Sequence, residues 1–191
     1  MTARLLLLCH ASTDAVRQSA FPADERLDAR GKAAAAALIG RLPRPDRCLV
    51  SPEARTRETA EALELSGTVE PVLRDCDYGA WRGRTFADVN ASEPAAVAAW
   101  LSDPAAAPHG GEAILGLVQR VAAWLAEMQN NHRQSIVVTH ASIIRAAVVC
   151  AVDAGPKSFW RIDVAPLSLT RLSGANGRWN LVSFGCSPSR E

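Results

Sequence analysis

The chain has 191 residues and a net charge of +1, with 48% hydrophobic and 21% charged residues, which is typical of a soluble globular protein and suits one domain over residues 1–191. The balanced charge gives no sign of bulk binding to nucleic acid or to an anionic membrane, and no stretch approaches the ~20 apolar residues of a membrane span. The five cysteines are scattered without a CxxC pair, which argues against a disulfide framework or a zinc site, so we expect reduced thiols in a cytoplasmic protein.

The first half of the chain alternates short apolar runs, typical of buried strands, with longer segments of helical character. The three predicted strands are residues 4–10, 48–51 and 69–73. The two helices are predicted at about 28–43 and 52–65. Pro52 suits the first turn of the second helix, because proline has no N–H to leave unpaired there.

The second half begins with an irregular segment, 74–111, which is rich in glycine and proline and which we interpret as a small cap insertion over a cleft. Two short helices are predicted within it, at 86–89 and 95–101. The elements predicted after the cap are a helix at 112–129, a strand at 135–139, a helix at 141–152 and a hairpin formed by 167–172 and 179–184. The alternation indicates an α/β fold, a three-layer sandwich with a mostly parallel central sheet flanked by helices.

Polar side chains follow three of the predicted strands at the point where each strand ends. His10 and His140 each come directly after an apolar strand, and Arg55 opens the helix after another. Ligands of α/β sheets bind beyond the carboxyl ends of the strands, so these three side chains are expected to converge. A lone histidine is most often structural, but two at equivalent strand ends favour a functional site.

The segments around these residues form an ordered set of motifs. They are LLLCHAST at 6–13, LDARG at 27–31, SPEARTRETA at 51–60, LRDCDYGAWRG at 73–83, GGE at 110–112 and VVTHA at 137–141. The set resembles the signature of the histidine phosphatase, or phosphoglycerate-mutase-like, family. Each motif alone is weak, whereas the same order along the chain is a specific signal.

The resemblance implies a phosphohistidine mechanism in which His10 attacks a phosphate monoester. A neutral imidazole nitrogen is a competent nucleophile at physiological pH. Arg55 would bind two phosphoryl oxygens in a fork, and His140 would be a further donor to the same oxygens. The family places its acidic proton donor at the position of Asp75, and Asp77, two residues on, is the rival candidate. No metal and no cofactor is implied.

The first motif departs from the family pattern inside the pocket itself. Cys9 stands where the family has arginine, Ala11 where it has glycine and Val16 where it has asparagine; Ala141 replaces the glycine after the second histidine. Two interpretations follow. Either Arg17 supplies the missing cation, which is the one we favour, or the site is degraded and binds phosphate without efficient turnover.

Cys9 itself has two interpretations. A thiol beside a phosphate site could be a low-pKa nucleophile or a redox switch. Because it follows four leucines, inert packing at the end of a strand is the simpler interpretation.

The short segment between Gly83 and Gly110 favours a hydrolase over a mutase, since a mutase must keep its phosphorylated intermediate away from water. We therefore expect a phosphate monoester hydrolase that acts on a small phosphorylated metabolite. The alternatives are a catalytically weak phosphate-binding or regulatory module that kept the fold, and a phosphoglycerate-type mutase. Neither the physiological substrate nor the oligomeric state follows from the sequence.

Overall fold

The computed structural model describes residues 2–129 and 133–188, so both ends of the predicted domain, residues 1 and 191, lie outside it. The strands are β1 (Ala3–Cys9), β2 (Arg47–Val50), β3 (Thr68–Val69), β4 (Gln134–Thr139), β5 (Leu169–Ala175) and β6 (Arg178–Cys186). The α-helices are α1 (Asp14–Arg17), α2 (Ala29–Ala36), α3 (Ala54–Ala62), α4 (Phe86–Ser92), α5 (Pro94–Ser102), α6 (Ile114–Met128) and α7 (Ala141–Ala151). Short 3-10 helices occupy Pro71–Leu73, Gly79–Trp81 and Pro156–Arg161.

The strands form one six-stranded sheet in the order β3-β2-β4-β1-β5-β6. The first four strands in this order are parallel to one another. The last two, β5 and β6, add an antiparallel edge next to β1. The predicted mostly parallel sheet is therefore confirmed. Because β1, β2 and β4 are parallel and adjacent, their carboxyl ends lie side by side at one edge of the sheet.

Alternate residues of β1 face two separate cores, as the period of a strand requires. Leu5 and Leu7 pack in a cluster with residues of α6 and α7, whereas Leu6 and Leu8 pack with residues of α2 and α3. The result is the expected three-layer arrangement. No helix within 2–129 or 133–188 is long and apolar enough to cross a membrane.

Three local predictions were wrong. The helix predicted at about 28–43 is α-helical only for Ala29–Ala36, and turns follow it. Pro52 does not lie in the first turn of a helix, because α3 begins only at Ala54, with Glu53 as its N-cap. The predicted strand at 69–73 is a strand for Thr68–Val69 only, and the chain then turns into a 3-10 helix from Pro71. Proline has no N–H to donate to a neighbouring strand, which accounts for the early end of β3.

The cap segment contains α4 and α5 and has its own aromatic cluster. Its buried members are Phe21, Trp81, Val89, Val97 and Trp100. Its two ends are joined by backbone bonds, from the amide of Ala80 to His109 O (2.9 Å) and from the amide of Glu112 to Asp77 O (2.7 Å). These bonds fix the chain that leads from Asp75 into the cap.

Candidate active site

His10 follows β1 and is held with one ring nitrogen free. Its Nδ1 lies 2.7 Å from the carbonyl oxygen of Ala11. A carbonyl only accepts, so Nδ1 carries the proton and donates, and the lone pair is on Nε2. Burial, followed by the nearby charges of His140 and Arg55, lowers the pKa of His10 to about 3. The ring is therefore neutral at physiological pH, as a nucleophile must be.

Arg55, in the first turn of α3, is buried with only part of its hydrogen-bonding capacity used. Nη2 donates to Oδ2 of Asp75 over 2.6 Å. Nε and Nη1 have no hydrogen-bond partner, and Oε2 of Glu25 is 4.0 Å from Nη1. A buried guanidinium with unpaired donors is costly unless an anion occupies the space it faces, so the geometry suits an oxyanion ligand.

His140 follows β4 and directly precedes α7. Its Nε2 lies 2.7 Å from Oγ of Ser51 and 2.9 Å from Oε2 of Glu53. Its Nδ1 has no hydrogen-bond partner and is 3.5 Å from Oδ2 of Asp75. The rings of His10 and His140 meet edge to face with centroids 5.3 Å apart. The unpaired nitrogen of His140 thus lies beside Asp75 and close to the ring of His10, behind the residues that line the cavity there.

Asp75 lies between Arg55 and His140. It accepts from Arg55, from the hydroxyl of Ser142 and from the amide of Cys76 (2.8 Å). Burial opposes its ionisation, but the charges of His140 and Arg55 hold the pKa of Asp75 well below its usual range. The resting carboxyl is therefore ionised and needs a change in its surroundings before it can donate a proton.

Asp77, the rival proton donor, faces the other way. Its Oδ1 accepts from the amide of Gly79 (2.9 Å) and lies 3.0 Å from Nη2 of Arg82, and the side chain is 46% exposed. It lines an outer pocket of about 350 Å³ rather than the cavity beside His10. Of the two carboxylates, the structure brings only Asp75 up to the histidines.

A cavity of about 130 Å³ lies against His10. It is lined by His10, Ala15, Val16, Ala20, Pro22, Glu25, Arg55, Asp75, Tyr78, Ala141, Ser142 and Arg145. Arg55 and Asp75 also line the outer pocket, so the two spaces adjoin at these residues. The inner cavity has the size of a small oxyanion group, and the outer pocket leaves room for the rest of a larger ligand.

Two of the predicted binding residues do not line this cavity. Cys9 is buried at the end of β1, and burial raises the pKa of its thiol to about 12, so the thiol stays protonated. Arg17 is half-exposed on α1, and its two Nη atoms contact the carboxylates of Asp14 and Asp28. Arg17, which was predicted to replace the missing arginine, therefore pairs with carboxylates away from the cavity in this structure.

The sequence analysis missed two residues that the structure brings to the site, Glu53 and Arg145. Glu53 stands two residues before Arg55, in the turn after β2. Arg145 lies four residues after Ala141 on α7, hence on the same face of that helix and near its start. That spacing was the available signal for Arg145. No group of three or more His, Cys, Asp or Glu side chains in the described part of the chain is placed to hold a metal ion.

Comparisons with known proteins match this chain to a family. The family model for the histidine phosphatase superfamily (branch 1) matches residues 5–187. The Bifunctional protein Rv2228c of Mycobacterium tuberculosis is 31% identical over 179 residues, which is 87% of this chain and 49% of that protein. The chain therefore spans about half the length of this relative.

Two further similarities cover most of both chains. The glucosyl-3-phosphoglycerate phosphatase of Mycobacterium tuberculosis is 32% identical over 192 residues, covering 90% of this chain and 85% of that protein. The native structure of mycobacterial glucosyl-3-phosphoglycerate phosphatase Rv2419c superimposes with a TM-score of 0.82 at 27% identity, over 98% of this chain and 100% of that chain.

Proposed function

Because this chain belongs to the histidine phosphatase superfamily, we propose that it is a phosphate monoester hydrolase that works through a phosphohistidine on His10. The observation that supports this most directly is the state of His10, which is neutral and donates Nδ1–H to Ala11 O, so that its Nε2 lone pair is free near the unpaired donors of Arg55 and the unpaired Nδ1 of His140. A nucleophile next to a preformed oxyanion pocket is what phosphoryl transfer requires.

In the first step, Nε2 of His10 forms a bond to phosphorus, and the bond from phosphorus to the ester oxygen breaks. Arg55 and Nδ1 of His140 stabilise the negative charge on the phosphoryl oxygens. Asp75 gives its proton to the departing oxygen. In the second step water attacks phosphorus, Asp75 takes a proton from that water, and the N–P bond breaks to release phosphate and neutral His10.

Asp75 acquires its proton as the substrate binds. A bound phosphoryl dianion competes with Asp75 for Arg55 and adds negative charge beside the carboxylate. Both effects favour the neutral carboxyl, so the pKa of Asp75 rises in the complex. The ion pair seen between Arg55 and Asp75 is then the resting state of a group that becomes an acid only when substrate is present.

The substrate is a small phosphorylated metabolite, with its phosphoryl group in the inner cavity and its leaving group in the outer pocket. The outer pocket is lined by carboxylates and guanidinium groups, among them Asp77, Arg74 and Arg82. Such a lining suits a polar, hydroxyl-bearing leaving group better than an apolar one. Two relatives carry names of phosphatases acting on polar metabolites, glucosyl-3-phosphoglycerate and phosphoserine.

The test is hydrolysis of an aryl phosphate and an alkyl phosphate by wild type and by a His10→Ala variant. We expect phosphate release by wild type on both substrates and loss of at least ~100-fold in the variant, which no longer has a nucleophile. A folded wild-type protein that binds phosphate without hydrolysing either ester would instead identify a binding or regulatory module.

A further inference from the structure

Glu53 contacts two of the catalytic groups with separate oxygens and also lines the outer pocket. Its Oε2 is 2.9 Å from Nε2 of His140 and also accepts from the hydroxyl of Ser51. Its Oε1 accepts the backbone amide of Asp75 over 3.0 Å. One carboxylate thus joins the end of β4, the turn after β2 and the chain that carries the proton donor.

The side chain of Glu53 does not cap the helix that follows it. Glu53 is the N-cap residue of α3, where short side chains such as Ser, Thr, Asp and Asn are preferred because they bond to the first helical amides. Glu53 makes no such bond. Instead, Asp24 from another loop accepts the amide of Ala54 over 2.7 Å. The glutamate is therefore free to turn toward the site, and Thr56 holds its turn by donating to Glu53 O (2.7 Å).

We propose that Glu53 is a positioning residue of the reaction, which keeps His140 charged and oriented and fixes the backbone of Asp75; this rests on the hydrolase function proposed above. A carboxylate only accepts, so Nε2 of His140 must carry a proton and donate to it. Nδ1 then reaches the phosphoryl oxygens as a donor only if the ring holds two protons. The charge of Glu53 stabilises that doubly protonated ring from the Nε2 side, and the ionised Asp75, whose Oδ2 is 3.5 Å from Nδ1, does so from the other side in the resting state.

The ionisation of Glu53 supports this assignment. Burial opposes its charged form, but the hydrogen bond and charge of His140, with the Ser51 hydroxyl and the Asp75 amide, lower the pKa of Glu53 to about 2. The carboxylate therefore carries its charge throughout the pH range in which the enzyme would work.

The experiment compares Glu53→Gln with Glu61→Gln, which removes the same charge from an exposed position of the same helix. Glu53→Gln keeps the size of the side chain and removes its charge. We expect kcat on an alkyl phosphate to fall about 10- to 100-fold with a smaller change in KM, since a charge-assisted bond is lost. Glu61→Gln should stay within about twofold of wild type.

The second readout is the ¹⁵N spectrum of the histidine rings, with His140 assigned through a His140→Gln variant. At neutral pH, wild type and Glu61→Gln should show both nitrogens of His140 protonated, and Glu53→Gln should show a neutral ring. This arm also works on wild type alone, should Glu53→Gln fail to fold. The ¹⁵N measurement does not depend on turnover. If the protein has no hydrolase activity, the proposed function is refuted, but the effect of Glu53 on His140 can still be measured.

A neutral His140 in wild type would overturn the proposal, because Glu53 would then not be charging the ring. An unchanged His140 spectrum in Glu53→Gln, or a kcat equal to that of Glu61→Gln, would overturn it as well. A fall in kcat together with the neutral ring supports it.

Discussion

At the scale of single residues, Arg55 shares the inner cavity with a second arginine, Arg145. Nε of Arg145 donates to Ile162 O over 2.6 Å, its guanidinium lies over the ring of Phe159, and its Nη2 is 3.7 Å from Oδ1 of the fully exposed Asp163. The side chain of Arg145 also lines the inner cavity. Arg17, by contrast, contacts two carboxylates outside the cavity. In this geometry Arg145 is better placed than Arg17 to supply the cation that Cys9 does not.

Arg145→Gln should therefore weaken the binding of inorganic phosphate about tenfold or more, the value of a charge-assisted hydrogen bond. Arg17→Gln should change it by less than about twofold. Titration of each variant with phosphate measures both, and thermal unfolding checks that the loss of the bond to Ile162 has not unfolded α7 and its neighbours. The reverse order of effects would show that Arg17 leaves its carboxylates when phosphate binds.

The residues of the site were only partly predictable from the sequence. His10, Arg55, Asp75 and His140 stand in motifs at strand ends, and the structure brings them together. Arg17 was chosen for its closeness to His10 along the chain, but the unpredicted helix α1 and two nearby carboxylates hold it elsewhere. Glu53 could not be singled out, because two of the three partners of its carboxylate, Asp75 and His140, are distant in the sequence.

At the scale of elements, the cap is attached where two backbone segments pass in close contact. Gly79 and Gly111 lie at this crossing, and a Cβ on Gly111 would overlap the carbonyl oxygen of Asp77. Gly79 also has a positive φ of 47°, which favours glycine. The crossing constrains the segment from Asp75 to Asp77 and hence the position of the Asp75 carboxylate.

Gly111→Ala should destabilise the protein by about 1–3 kcal/mol, the usual cost of forcing extra atoms into a packed region. We also expect a loss of activity on alkyl phosphates, as Asp75 shifts with its segment. Gly155→Ala is the matched control, because a Cβ there meets nothing within 4 Å. Equal unfolding curves for the two variants would show that the crossing is looser than the structure indicates.

The order of strands and helices was predictable because hydrophobic runs and their periods are local properties. Element ends were less so. The start of α3 depends on Asp24, which caps it from another loop, and that contact leaves no mark in the local sequence. The order of the strands in the sheet could not be predicted from the sequence pattern either, because β4 lies between β2 and β1 through pairing of strands that are distant along the chain.

At the scale of the whole molecule, the folded state keeps His10 neutral at acidic pH values at which the unfolded chain binds a proton there. The pKa of His10 is lowered to about 3, so the unfolded chain takes up this proton near the ordinary value of 6.5 and the folded protein does not. The stability that this difference provides is complete above pH 6.5 and is lost as the pH falls toward 3.

The stability difference between wild type and His10→Gln should therefore shrink on acidification. Between about pH 6 and pH 4 we expect wild type to lose up to about 1.4 kcal/mol more per pH unit than the variant, the linkage of one proton. Urea unfolding of both proteins over this range measures it. A constant difference would mean that His10 titrates like a solvent-exposed histidine.

The central claim is that His10 carries the phosphoryl group during turnover. The most direct measurement is rapid alkaline quenching of wild type and His10→Ala during turnover of a radiolabelled phosphate ester, followed by mapping of the labelled residue. The account predicts an acid-labile, hydroxylamine-sensitive label on His10 that is absent from the variant. Label on Cys9, or rapid hydrolysis with no labelled protein at any time, would contradict it.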